Sequence, residues 1–163
     1  MKLKKVRIQN FKSITDTSEF TVENITCLVG KNESGKTAIL QALSKLDPIA
    51  GQASNEALFD ELDFPRMSFS DYSDDDRPND VLTTTWELEA ADIAALETIL
   101  GEGNLLSNTV TASKGYSNKI DWQIQIDYKS IVKQLIDDSN LYAEESAALS
   151  RIILTRECGQ QVP

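Results

Sequence analysis

The sequence predicts a mixed α/β fold (α+β in part) in which an antiparallel β-subdomain is attached to a strand–loop–helix core. Residues 25–29 form a short, nearly uncharged, β-branched run, which is typical of a strand buried on both faces. This run leads directly into a glycine-rich loop and a helical pattern. Several other segments alternate apolar and polar residues, as strands with one solvated face do. Because strands and helices do not alternate evenly, we expect no simple βαβα series.

The alternating segments predict the strands of the β-subdomain. Residues 3–9 place Leu3, Lys5, Arg7 and Gln9 on one face, opposite Lys4, Val6 and Ile8. Residues 120–128 (IDWQIQIDY) give the clearest alternation in the chain. The other predicted strands are residues 19–22, 81–89 and 108–113.

Apolar residues at helical spacing predict four helices. The first runs from Thr37 to Leu46 and ends before Asp47-Pro48, because the residue preceding a proline is disfavoured in the helical region. Its predicted buried face consists of Ile39, Leu40, Leu43 and Leu46. The other predicted helices are residues 91–100, which stop at Gly101, a helix opening at residues 131–136, and residues 141–153.

The loop between the predicted core strand and the first helix carries a phosphate-binding motif. Residues 30–37 read GKNESGKT and fit the pattern G-x-x-x-x-G-K-[ST]. Gly30 and Gly35 allow positive φ and let the backbone approach an anion without an intervening Cβ. Successive backbone N–H groups and the start of the helix then form a concave anion site. The flanking strand and helix favour this interpretation over a glycine-rich turn that merely caps a βα unit.

The motif assigns a role to each part of the loop. Lys36 is expected to lie between the β- and γ-phosphates of a nucleotide, and Thr37 to offer its hydroxyl to Mg²⁺. No residue is assigned a catalytic role. The predicted nucleotide-binding residues are Gly30, Lys31, Asn32, Glu33, Ser34, Gly35, Lys36 and Thr37.

Composition and charge exclude several functional classes. The chain has no histidine, which removes Ser-His-Asp and Cys-His catalysis and every histidine-containing metal site from these residues. Cys27, expected in the core strand, and Cys158 form no disulfide framework, so a cytoplasmic protein is expected. No apolar run is long enough to span a membrane, so no membrane partner is expected.

The formal net charge of −10 argues against a broad duplex-binding surface. Only the basic N-terminal residues Lys2 to Arg7 could offer one, and a solvated strand face is the favoured interpretation. The acidic stretch SDYSDDDRPND (70–80) is interpreted as a solvated loop, because it lacks the glycine and glutamate of a Ca²⁺ loop.

Two segments resemble a known family. KLKKVRIQNFKSI (2–14) and ITCLVGKNESGKTAILQAL (25–43) are similar to the start of RecF/SMC-type ATPase heads of the ABC superfamily, and most similar to the AAA ATPase domains of overcoming-lysogenization-defect (OLD) nucleases. The resemblance implies an ATP- and Mg²⁺-binding head that clamps ATP against a second head, in DNA repair or anti-phage defence. Asn32 matches the asparagine of the family's loop. Lys12 matches the basic residue of its N-F-[RK] turn and is a second candidate phosphate contact, with an ordinary hairpin-turn lysine as the equal alternative.

The family's second half is not recognisable here. The signature loop, the switch histidine and a Walker B segment are not found, and LFDELD (58–63) has too few apolar residues before its acids, so we interpret it as helix or loop. We therefore expect residues 1–163 to form the N-terminal lobe of a longer ATPase, subdivided at residues 1–47, 48–80 and 81–163. The intact protein is expected to hydrolyse ATP as a homodimer and to process nucleic acid. This chain alone is expected to do neither.

Other functional classes stay open at this stage. A non-catalytic module in which ATP controls pairing with a partner is the main alternative. NKID (118–121) fits the guanine-reading motif N-K-x-D, but its strand follows the motif instead of preceding it and the chain has no D-x-x-G, so a GTPase is a distant alternative. A small-molecule kinase is compatible with the fold, although no substrate site for one can be identified.

Overall fold

The chain forms six β-strands, three α-helices and one 3₁₀ helix in the part that the structure describes. The computed structural model describes residues 1–31, 35–46, 58–66 and 80–138. The elements are β1 (Lys2–Phe11), β2 (Ile14–Asp16), β3 (Phe20–Thr21), α1 (Lys36–Ser44), a 3₁₀ helix (Glu61–Asp63), β4 (Leu82–Glu87), α2 (Ala90–Leu100), β5 (Leu105–Lys114), β6 (Ile120–Ile126) and α3 (Tyr128–Asp138). In this described part, no helix combines the length and apolar character needed to cross a membrane.

The strands form one sheet in the order β2-β1-β4-β5-β6, with β3 also paired to β1. β1 runs antiparallel to β2, β3 and β4, and β4 runs antiparallel to β5. In the centre of the sheet Val6 pairs with Thr84, which in turn pairs with Ala112. The mixed α/β class and its antiparallel sheet are therefore confirmed. Contacts divide the chain into two compact units, residues 1–90 with 108–124 and residues 91–107 with 125–163.

The core of the first unit lies between the sheet and α1. Val6 and Ile8 are fully buried, whereas the alternating residues Lys5 and Arg7 are exposed, as the alternation predicts. The predicted alternation fails at Leu3, which packs against this core although it is three residues from Val6. A register shift between Leu3 and Lys5 in the pairing with β4 explains this, since one extra residue moves the following side chains to the opposite face.

α1 contacts the sheet through small residues. Ala38, Ala42 and Leu46, each four residues apart, are buried, while Leu40 is 60% exposed. Of the predicted apolar face, Leu46 is buried and Ile39 and Leu43 pack against the core, as expected, whereas the prediction was wrong for Leu40. Alanine at the contact allows a helix backbone to lie close to the sheet, and the larger residues then pack at its sides.

The predicted core strand at residues 25–29 is a second correction. These residues are not in a strand, and Ile25 and Val29 are 87% and 93% exposed. Cys27, expected in the core, is also exposed. A strand buried on both faces needs hydrogen-bonding neighbours for its backbone, and none of the described strands pairs with this segment. Without such neighbours, β-branched composition alone does not produce a strand.

The second unit is organised around Asn104, which follows α2. The Asn104 side-chain amide donates to the Leu100 carbonyl at 2.7 Å and to Gln134 Oε1 of α3 at 3.0 Å. The Asn104 carbonyl accepts from the Asp127 backbone N–H at 2.8 Å, just before α3 begins. α2 ends at Gly101, with φ of 85°, as its sequence predicts. The predicted helix 141–153 lies outside the described residues.

Candidate functional site

The end of the phosphate-loop motif lies against the turn between β1 and β2. Gly35 has φ of 82°, and a Cβ added there would be 3.2 Å from Ile14 Cγ1 and 3.6 Å from Ser13 Oγ. Glycine is therefore required at this position both for its left-handed backbone and for the close approach of the turn. The Gly35 end of the loop therefore lies beside the β1–β2 turn, which also carries Lys12.

α1 begins immediately after Gly35 with an uncapped N-terminus. The first helical hydrogen bond runs from the Ile39 N–H to the Gly35 carbonyl at 3.0 Å. No side chain caps this end, and its first turn holds no acidic residue. The first turn of α1 thus offers backbone N–H groups and the positive end of the helix dipole without a carboxylate of its own, an arrangement that favours an anion. Thr37 is exposed in this turn.

The Lys36 side chain folds back over the start of the loop. Its ammonium donates to the Gly30 carbonyl at 2.6 Å and also to the Lys31 carbonyl. Gly30 and Lys31 are both exposed. Lys36 thereby links the two described ends of the motif, and the residues between them, Asn32, Glu33 and Ser34, lie outside the described part. Carbonyl oxygens satisfy an ammonium less strongly than phosphate oxygens do, because phosphate carries full negative charge.

Lys12 is held against the side of α1 and not at its N-terminus. Its ammonium donates to Gln41 Oε1 at 2.7 Å and lies 3.7 Å from Asp63 Oδ1. Its backbone has φ of 53°, and its N–H donates to the Asp63 carbonyl at 2.6 Å. Gln41 lies five residues after Lys36, about 7–8 Å along the helix axis. A phosphate contact by Lys12 therefore requires its side chain to leave Gln41.

A buried ion pair that sequence reasoning missed fixes the 3₁₀ helix beside α1. Lys45 Nζ lies 3.0 Å from Asp63 Oδ2, and both side chains are nearly buried, at 11% and 12% exposed. Lys114 Nζ donates to the Lys45 carbonyl at 2.6 Å and so satisfies the carboxyl end of α1. LFDELD is thus 3₁₀ helix and loop, in agreement with the sequence interpretation, and its Asp63 carboxylate is occupied by lysine and by the Asp60 N–H.

The asparagine of the NKID segment has a structural role. Asn118 Oδ1 accepts from the Phe59 N–H at 2.7 Å, and its amide group donates to the Phe59 carbonyl at 2.9 Å. The same amide donates to the Tyr116 carbonyl at 3.3 Å. The side chain therefore holds the backbone of a buried phenylalanine, which explains the N-K-x-D match without any guanine site.

The basic residues of β1 are neutralised by acids on neighbouring segments. Arg7 donates two hydrogen bonds to the Asp16 carboxylate in a bidentate contact, with Nε–Oδ1 at 3.2 Å and Nη2–Oδ2 at 2.7 Å. Hydrogen bonding to Arg7 and to the Ser18 N–H lowers the pKa of Asp16, and the same pair raises the pKa of Arg7. The other pairs are Lys2–Glu89, Lys4–Glu87 and Lys5–Glu19. This pairing supports the interpretation of a solvated strand face over a nucleic-acid surface.

Two cavities among the described residues are lined by segments other than the phosphate-loop motif. One of about 720 Å³ is lined by residues of β1 and of the segment after β3, including Leu3, Val22 and Ile25. The other, of about 570 Å³, is lined by residues of the β1–β2 turn and by residues after the 3₁₀ helix, including Lys12 and Arg66. None of the motif residues that the structure describes, which are Gly30, Lys31 and Gly35 to Thr37, lines either cavity. Among the described residues no cluster of three or more acidic or cysteine side chains could hold a metal ion.

The mixed α/β fold with its antiparallel sheet is consistent with a nucleotide-binding ATPase domain. A family model of the AAA ATPase domain matches residues 1–157, nearly the whole chain, so the chain belongs to this family. No curated protein sequence matches it.

Proposed function

We propose that residues 30–37 bind the phosphates of Mg-ATP. The observation that carries the proposal is the geometry at Gly35 and Lys36: a left-handed glycine opens an uncapped helix, and the next residue turns its ammonium back over the loop. On binding, Lys36 exchanges the carbonyls of Gly30 and Lys31 for phosphate oxygens. The backbone N–H groups of the first turn of α1 face the same anion. The AAA ATPase family supports a nucleotide as the ligand.

The described residues could hold a magnesium ion only together with a bound nucleotide. Thr37 is exposed in the first turn of α1 and offers one hydroxyl oxygen, and Mg²⁺ is commonly held by one or two protein oxygens together with phosphate oxygens and water. The ion would neutralise charge on the β- and γ-phosphates. Lys12, on the neighbouring turn, is proposed as a further phosphate contact that is reached when its side chain leaves Gln41.

In the intact protein, we propose that this chain is the ATP-binding lobe of an SMC/RecF/OLD-like ATPase that couples ATP to pairing of two heads and to DNA processing in repair or anti-phage defence. The resemblance of residues 2–14 and 25–43 to those heads supports this. The alternative is a non-catalytic module in which ATP controls assembly. One observation favours it for this stretch: the Asp63 carboxylate is occupied by Lys45 and is not available as a base.

Titration calorimetry with Mg-ATP tests the proposal. The chain should bind ATP, and Lys36→Ala should abolish the heat while leaving the unfolding transition unchanged, because Lys36 contacts loop carbonyls and not the core. Lys133→Ala, an equal truncation of an exposed lysine on α3, is the matched control and should bind as the parent does. Equal affinity of the Lys36→Ala variant and the parent would overturn the assignment.

A further inference from the structure

Among the described residues, the last strand of the sheet, β6, has one edge that pairs with no other strand. In the part of the chain that the structure describes, β6 has one neighbouring strand, β5. Its sequence, IDWQIQI, contains no proline or lysine, the residues that commonly protect edge strands from pairing with other chains. The opposite side of the sheet ends instead in β2 and β3, which have three and two residues. Of the two edges formed by described strands, β6 with seven residues is therefore the longer one.

The side chains of β6 are accessible on both faces. Asp121, Gln123 and Gln125 on one face are exposed. On the other face Trp122 is 54% exposed, and Ile124 and Ile126 are only partly buried. Trp122, Ile124 and Ile126 form an apolar row along this face. Their side chains would become more buried if another strand paired with β6 and placed apolar side chains beside them.

The charges at the two ends of β6 are complementary under a two-fold axis. In an antiparallel self-pair centred on Gln123, Lys119 of each copy lies opposite Asp127 of the other. Asp121 then lies opposite Gln125, and no like charges face each other. Shifting the register by two residues toward the carboxyl end brings Asp121 opposite Asp127, which is unfavourable. Hydrogen bonds from Ser130 and Lys129 lower the pKa of Asp127, so its carboxylate is charged at neutral pH.

The same register joins the apolar rows of the two copies. Trp122 lies opposite Ile124, and Ile120 lies opposite Ile126, so both faces are matched at once. A register shifted by one residue would instead place apolar side chains opposite polar ones. We propose that a second copy of this chain pairs antiparallel with the edge of β6, with the two Gln123 residues opposite each other. This pairing does not depend on the nucleotide and goes beyond the proposed function.

Site-specific cross-linking tests the register in a background that carries Cys27→Ser and Cys158→Ser. With Gln123→Cys, the two introduced thiols face each other at a Cβ separation of about 5 Å, within reach of a disulfide. With Gln125→Cys, the matched control on the same face, the two positions are about 14 Å apart and beyond that reach. Oxidised glutathione should therefore link the Gln123→Cys chain into a dimer at least about tenfold faster than the Gln125→Cys chain.

Sedimentation of the unaltered chain over a dilution series supplies an independent measurement. A monomer–dimer equilibrium is expected, and Lys119→Glu should weaken it by about tenfold or more, because both Lys119–Asp127 pairs become repulsive. Lys133→Glu makes the same charge change away from β6 and should leave the equilibrium unaltered. Lys36→Ala should also leave it unaltered, which separates this proposal from that of nucleotide binding. A monomer at every concentration, or equal cross-linking at positions 123 and 125, would overturn the pairing.

Discussion

At the scale of single residues, two features of the structure require glycine at position 35. A side chain there must adopt a left-handed backbone, which costs about 1–2 kcal/mol for a residue other than glycine, and its Cβ must fit 3.2 Å from Ile14 Cγ1. Gly35→Ala is therefore expected to lower the free energy of unfolding by more than the backbone term alone, and to weaken ATP binding. Urea denaturation and calorimetry measure the two effects.

Gly103 offers the matched control for this substitution. It has φ of 76°, close to that of Gly35, but a Cβ added there meets nothing within 4 Å. Gly103→Ala should show the backbone cost of about 1–2 kcal/mol and no change in ATP affinity. If the two variants lose equal stability and both bind ATP like the parent, the close approach of the β1–β2 turn to the loop has no energetic consequence.

The Arg7–Asp16 pair predicts a pH dependence on the acid side. Arg7 holds the pKa of folded Asp16 below its ordinary value of 3.8. A carboxyl group whose pKa is lower in the folded state stabilises the fold above its unfolded pKa, and this contribution is lost as the pH falls through the folded pKa. The stability difference between the parent and Asp16→Asn should therefore shrink from pH 7 to below 3.8.

Urea midpoints across this pH range, with and without added salt, check the expectation. Salt should reduce the difference at pH 7, because the pair is exposed and screened. A difference that grows on acidification would contradict the sign.

At the scale of elements, the 3₁₀ helix depends on one carboxylate. Asp63→Ala would leave the nearly buried Lys45 ammonium without its counter-ion and the Asp60 backbone N–H without its carboxylate acceptor, so we expect a loss of about 2–4 kcal/mol in unfolding free energy. Glu61→Ala, in the same turn but exposed, should change stability by less than about 0.5 kcal/mol. Equal effects in thermal or urea unfolding would show that the ion pair does not fix this element.

The same elements show which features the sequence could predict. Residue patterns within one segment correctly predicted several elements. These are the strands β1 and β6 from their alternation, the helices α2 and α3 from their apolar spacing, and the end of α2 from its glycine. Such patterns failed at residues 25–29, since composition cannot report whether a neighbouring strand is present to pair with the segment.

Long-range contacts had no local signal either. Lys114 and Lys45 are 69 residues apart, Asn118 and Phe59 are 59 apart, and Tyr116 reaches the Asn10 carbonyl across 106 residues. Each of these polar side chains is satisfied by backbone groups that no spacing rule links to it. The loop motif was recognisable because phosphate binding requires particular residue types at short spacing. The hydrogen bond from Lys12 to Gln41 was not predictable in this way, because it depends on how α1 packs.

At the scale of the whole molecule, binding and turnover are expected to separate. Hydrolysis requires a group that orients the attacking water and a charge that stabilises the leaving phosphate, and each loss of about 1.36 kcal/mol in that stabilisation slows the reaction tenfold. No Walker B segment or signature loop is found in residues 1–163, and Asp63 is ion-paired. Phosphate release by this chain should therefore stay near background in a coupled assay. Steady release that disappears with Lys36→Ala would show that these residues hold a catalytic acid.

Hydrogen–deuterium exchange with and without Mg-ATP tests the central claim most directly, because it locates the ligand on the chain. Binding of phosphates by the loop and the first turn of α1 should slow exchange in peptides that cover residues 30–39. Peptides that cover residues 21–25, beside the larger cavity, should not change. Lys36→Ala should remove the protection, and Lys133→Ala should keep it. Protection by ATP at residues 21–25 or in the second unit, with residues 30–39 unaffected, would contradict the assignment of this loop as the nucleotide site.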